Sequence, residues 1–277
     1  MLLRSNKMTA TVISLVAFKG GVAKTSSTAM IAYNLAKRNY KVIMVDLDPQ
    51  ANLTAISLRT KLAQLGENAN TVIDSSLMKA VQDNDLSEAR INIIPNLDLI
   101  GSSMDFSLYP EYMLNQSQSM REQVKYFDKL LKPIIKDYDF CIIDTPPTLS
   151  LYLSSALYAS DFALCLLKTD PFSIEGLEHL LKYIQDKVIN EYGAPRLEPL
   201  GVLPVIMQKN SSLDKGILDM VRNKYGDDMV LPEVPYLSRL NRFSATGITD
   251  TNYFDRHPQK VYSTIVDEIL KRIEHDK

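Results

Sequence analysis

The chain has 277 residues, 45% of them hydrophobic, enough to bury a sizeable core in one large α/β domain or two small ones. A net charge of −2 excludes a broadly basic protein, so any nucleic-acid contact has to come from a local patch. No stretch approaches the roughly 20 apolar residues of a membrane-spanning helix, and the two cysteines, Cys141 and Cys165, sit in apolar runs far from any CxxC spacing, which reads as reduced core thiols in a soluble cytoplasmic protein.

Arg4 and Lys7 break any signal peptide, leaving residues 1–10 as a short leader to a single domain. Residues 12–18 (VISLVAF) are a β-rich run ending at glycines, and 24–38 follow with helical spacing, Ile31, Leu35 and Ala36 falling on one side. Strands are predicted at 41–46, 91–95, 140–144, 162–167, 200–207 and 230–234, and helices at 122–135, 174–191, 213–225 and 261–273. A polar stretch at 115–119 is too short for a domain linker, and no internal repeat is present. Continuous rather than alternating apolar runs mark strands covered on both faces. The alternation of elements predicts an α/β fold, a doubly wound, mostly parallel sheet with helices on both faces.

Lys19-Gly20-Gly21-Val22-Ala23-Lys24-Thr25-Ser26 lies between the first strand and the first helix. A phosphate loop needs inward backbone N–H groups, small residues for close approach, a lysine for phosphoryl oxygens and a hydroxyl for Mg²⁺. All are present: Gly20 and Gly21 permit the tight backbone, Lys24 reaches the β- and γ-phosphates, and Thr25 ligates the metal. Ala23 stands where glycine is usual before the lysine, a cost if that position needs positive φ. Asp46 and Asp48, two apart at a strand end, are predicted to point to one side, one supporting Mg²⁺ and the other orienting an attacking water. Asp144 closes the apolar run CIID as a Walker B acid would. Each motif alone is weak, but three phosphate- and metal-compatible strand ends in one chain reinforce one another.

The motifs KGGVAKTS, VDLDPQANLT and IIDTPP resemble those of the ParA-type partition ATPases, the short, Soj-like class within the MinD/ParA deviant Walker A group, and the similarity extends over nearly the whole chain. The resemblance implies slow, Mg²⁺-dependent ATP hydrolysis in a homodimer built around two ATP molecules. Lys19 would reach the partner's phosphates, Asp48 would position water, and an adenine pocket would lie near Met207, Gln208 and Pro235. It also implies non-specific DNA binding through Arg239, to which we add Arg242 and, close by, Lys215. A ParB-type centromere-binding protein would be the partner, and the protein would be nucleoid-associated. Residues before 12 are too few for a helix-turn-helix domain. A MinD-like membrane switch is the competing expectation; it needs a basic amphipathic tail, whereas 261–273 carries Asp267 and Glu268 and reads as a core-packing helix. An iron–sulfur role would need exposed cysteines.

Overall fold

A computed structural model describes residues 9–170 and 172–275, so positions 1–8 of the expected leader lie outside the described residues. Among these, seven strands form one sheet: β1 (Thr11–Val16), β2 (Val42–Asp46), β3 (Arg90–Ile94), β4 (Leu97–Ile100), β5 (Phe140–Asp144), β6 (Phe162–Lys168) and β7 (Glu198–Val205). Their order is β3-β4-β2-β5-β1-β6-β7, and every neighbouring pair is parallel except the β3–β4 edge hairpin. The helices are α1 (Lys24–Lys37), α2 (Asn52–Leu65), α3 (Leu77–Gln82), α4 (Tyr109–Gln116), α5 (Met120–Ile134), α6 (Leu151–Ala159), α7 (Ser173–Tyr183), α8 (Ser212–Tyr225), α9 (Ser238–Thr246) and α10 (Tyr253–His275).

Successive strand residues point to opposite faces of the sheet, so one buried run feeds two cores. Ile13, Leu15, Ile142, Leu164 and Leu166 pack with α1, α2, α9 and α10, where Tyr262, Ile265 and Ile269 of the last helix are fully buried. Their neighbours Val12, Cys141 and Ile143 pack with α3, α5 and α6, while Val16, Cys165 and Leu167 pack with α6, α7 and α8. Both thiols are buried on that second side, and burial pushes their pKa values up. The doubly wound α/β class and the core-packing last helix hold as expected. No helix among the described residues is long and apolar enough to cross a membrane.

Residues 230–234 do not form the expected strand. The segment runs extended beside β7, with Leu231 N–H donating to the Val202 carbonyl and Val234 N–H to the Pro204 carbonyl, both at 2.8 Å, but Pro232 between them has no N–H to continue a ladder. Only isolated bridges, Val202 to Val230 and Met207 to Pro235, remain. The predicted helix at 174–191 passes into π-helical turns over Ile184–Glu191, and α10 begins at Tyr253, well before residue 261, with Pro258 in its second turn.

Candidate nucleotide site

The carboxyl ends of the central strands β2, β5 and β1 bring the three motifs together, where open α/β folds bind ligands. A cavity of about 470 Å³ opens there, lined by every residue from Lys19 to Ser26 and by Asp48, and also by Gln50, Asn52, Arg59, Pro147 and Ser244. Gly21 takes φ 73° and Ala23 takes φ 53°, so Ala23 is in the left-handed region as its departure from the usual glycine suggested. Non-helical turns of this kind direct successive N–H groups inward as an anion nest, and α1 opens immediately behind them.

Asp144 is fully buried and gathers the loop side chains. Its Oδ2 accepts from Thr25 Oγ1 at 2.7 Å, and its Oδ1 accepts from Lys24 Nζ and from Thr28 Oγ1, each at 3.2 Å. Lys24, only 7% exposed, also donates to the Thr145 carbonyl. Asp46 is Asp144's register partner on the adjacent strand. Burial, and then the Asp144 charge, push its carboxyl up to about 7, although Thr54 N–H and Thr54 Oγ1 both donate to its Oδ2 at 2.8 Å.

Asp48 does not share a strand face with Asp46. β2 ends at Asp46, and the Asp48 N–H turns back onto Asp46 Oδ1 at 3.2 Å. A two-residue strand period therefore does not apply beyond that point. The turn buries Asp46 and sends Asp48 to the cavity wall, where its Oδ1 accepts from Gln50 N–H at 3.0 Å.

Lys19 turns to Asp170 beside the cavity, with Nζ 2.8 Å from Oδ1 and 5.2 Å from the centre of the Phe172 ring. Burial raises the Asp170 carboxyl, but hydrogen bonds from Lys19, Phe172 N–H and Ser173 outweigh it and hold the group below the usual carboxylate range.

The donor set fits a magnesium-bound triphosphate. Thr25, Asp144 and Asp46 supply hard oxygens, few enough that phosphate and water complete a Mg²⁺ shell, while the nest and Lys24 supply the anion contacts.

The other expected site residues fall elsewhere. Met207 and Pro235 bridge at the end of β7, with Met207 Sδ 3.6 Å from Thr169 Oγ1, and Gln208 N–H donates to Asp214 Oδ2 at 2.7 Å. This group is compact but does not line the phosphate cavity. Arg239 and Arg242 share a second cavity of about 720 Å³ with the exposed rings of Tyr236, Tyr253 and Phe254, and Lys215, though exposed on α8, does not line it. Arg242 is exposed, whereas Arg239 turns inward: Nε donates to Asp255 Oδ1 at 2.6 Å and Nη2 donates to the same oxygen. Asp255 is fully buried, and bonds from Thr249 and Arg239 overcome that burial to hold its pKa low.

Gln50, Asn52 and Arg59 went unrecognised in the sequence. A helix starting directly after Asp48-Pro49-Gln50-Ala51 is the signal that would have placed them beside the loop of residues 19–26.

A family model described as an AAA domain matches residues 10–197. The virulence-plasmid ParA family protein pGP5-D of Chlamydia psittaci is 30% identical over 216 residues, 77% of this chain and 76% of its own. The sporulation initiation inhibitor protein Soj of Bacillus subtilis is 26% identical over 237 residues, 85% of this chain and 88% of its own. Among solved structures, an ATP complex of Cyanothece McdA superposes with a TM-score of 0.77 at 20% identity, covering 96% of this chain and 98% of that one, a likeness of fold. With its phosphate loop, its strand-end acids and these matches over most of its length, the chain belongs to the ParA family of P-loop partition ATPases.

Proposed function

We propose that the chain is a DNA-partition ATPase: two copies close around two ATP molecules, bind DNA without sequence preference in that state, and are released when a ParB-type centromere-binding protein stimulates hydrolysis. The observation that carries the reading is the convergence of Lys24, Thr25 and Asp48 on one cavity, with Asp144 joining Thr25 and Lys24 from beneath. The resemblance to plasmid-encoded and Soj relatives supports the partition role, and the ATP bound by McdA supports the nucleotide.

Bound Mg²⁺ would neutralise triphosphate charge, held by Thr25 and Asp144 with Asp46 behind them. The loop N–H groups bind phosphate oxygens, and Lys24, exchanging a carboxylate and a carbonyl for phosphate, places its charge where the transferring group develops negative charge. Asp48, steadied by Gln50 N–H, accepts the hydrogen bond that orients the attacking water. Lys19 must leave Asp170 to reach a partner copy. Their side chains are 39% and 28% exposed, so that ion pair contributes only about 0–1 kcal/mol and is a small barrier to dimerisation. In DNA binding, Arg242 and Lys215 supply phosphate contacts, each engaged cation steepening the salt dependence.

ATP turnover measured with DNA and a ParB-type partner, added separately and together, tests the cycle; stimulation that requires both is expected. Liposome flotation beside DNA pulldown, each with and without ATP, separates the readings. Retention on lipid but not on DNA would replace partition with a membrane-surface switch.

A further inference from the structure

The C-terminal end of α9 rests on the middle of α2. Gly247, at φ +84°, passes so close that a β-carbon there would lie 2.4 Å from the Arg59 carbonyl. Thr60 Oγ1 accepts the Ile248 N–H at 2.9 Å, and Arg59 Nη1 donates to the Ser244 carbonyl at 2.5 Å. The Ser244 carbonyl lies in the last turn of α9, where helical carbonyls lose their intrahelical partners. The Ile248 N–H that would have closed its i+4 bond is taken by Thr60, so a side chain from α2 caps it instead.

Of the two α2 side chains in these contacts, only Arg59 lines the phosphate cavity, whose wall also includes Ser244. Lys19 and Lys24 in that wall are each held by a carboxylate, whereas the Arg59 guanidinium is held by a neutral carbonyl. A guanidinium–phosphate fork joins opposite charges through two parallel bonds, which a single bond to a neutral carbonyl does not match. A phosphate within reach would therefore win the guanidinium from the helix end.

We propose that Arg59 is a phosphate-contacting residue that exchanges the Ser244 carbonyl for a phosphate oxygen of the bound nucleotide, so that filling the cavity uncaps the C-terminal turn of α9. The proposal rests on the reading of the cavity as a triphosphate site. It links nucleotide occupancy to the helix that carries Arg239 and Arg242, and linkage makes the effect reciprocal: holding α9 uncapped raises nucleotide affinity.

The test is hydrogen–deuterium exchange of the full chain with and without Mg²⁺ and a non-hydrolysable ATP analogue, alongside analogue titration, for wild type, Arg59→Ala, Arg59→Lys and Thr60→Val. In wild type the analogue speeds exchange of amides 244–248 several-fold. Arg59→Ala exchanges quickly there without the analogue, shows no further response and binds it about tenfold more weakly. Arg59→Lys recovers part of that affinity through its remaining charge. Thr60→Val also loosens α9 but binds the analogue at least as tightly as wild type, because Thr60 does not line the cavity and its loss leaves Arg59 free to contact phosphate. A purely structural role for Arg59 would make Arg59→Ala and Thr60→Val behave alike and overturn the proposal, as would wild-type analogue affinity in Arg59→Ala. Failure of the wild type to bind the analogue would overturn the triphosphate reading itself.

Discussion

Replacing Ala23 with glycine isolates the strain carried by the phosphate loop. Ala23 precedes α1 at φ 53°, ψ 27°, and the left-handed region costs a residue with a β-carbon about 1–2 kcal/mol. Glycine removes that cost but loses about 0.4–1 kcal/mol through the greater freedom of the unfolded chain. The net gain is about 1 kcal/mol, or about 2–4 °C in Tm for a chain of this size. Ala51 provides an internal replicate, since it precedes α2 at φ 53°, ψ 34°, and Ala51→Gly carries the same expectation. Gly21→Ala is the converse: a β-carbon there meets nothing within 4 Å, but φ is 73°, so the variant loses about what Ala23→Gly gains. Thermal unfolding of the three variants in the same buffer is the assay. A gain at Ala51 but none at Ala23 would mean that the Ala23 methyl packs well enough to offset its conformation. No gain at either position would refute the strain reasoning. ATP turnover of Ala23→Gly then separates binding from chemistry: a loop reshaped by the methyl shows a raised kcat with little change in nucleotide affinity.

Lys24→Ala should weaken ATP binding by about 100-fold or more, since the charge-assisted phosphate contacts of a buried ammonium are lost together; calorimetric titration reads it directly. Asp48→Ala should keep that affinity, lower kcat by about 10²–10⁴-fold and trap the DNA-bound dimer, and normal turnover would remove Asp48 from its assigned role. Arg239→Ala should cost about 3 kcal/mol of stability in urea unfolding, because it strips a buried carboxylate of its cation. Arg242→Glu should leave the unfolding midpoint close to wild type and weaken DNA retention, with a shallower salt dependence; unchanged retention would remove Arg242 from the interface.

The central strands were legible because each is an unbroken apolar run buried on both faces, with the bounds of β2, β5 and β6 read to within a residue. α2 was not, for a physical reason: its buried face holds Thr54, Ser57, Thr60 and Lys61 among its apolar residues, and those polar groups are satisfied by Asp46, by helix carbonyls and by the Asn92 carbonyl. A hydrophobic periodicity cannot detect a face built from hydrogen bonds. α6 fails oppositely, being apolar nearly all round and only nine residues long, and α9 buries only Leu240 and Phe243. One offers no polar face and the other only a two-residue stripe, too little for a periodicity to read.

The same distinction separates the site residues. Lys24, Thr25 and Asp144 are brought together by backbone position, which the strand–loop–helix order fixes, so spacing sufficed to expect their meeting. The role of Arg239 depends on where its side chain goes, and that is decided by Asp255, sixteen positions away at the head of α10. Asp255 has no room for solvent, so leaving it unpaired would cost several kcal/mol, more than a surface arginine gains from water and diffuse counterions. The buried acid therefore claims the guanidinium and ties α9 to α10, leaving Arg242 as the exposed cation of that segment. If DNA nevertheless recruits Arg239, it must first break this pair, and its contribution to binding is then reduced by what the fold loses. A double-mutant cycle between Asp255→Asn and Arg239→Ala measures that competition. Tighter DNA binding in Asp255→Asn, abolished by the second substitution, would show the arginine shared between fold and DNA; equal binding in all members would assign it to the fold alone.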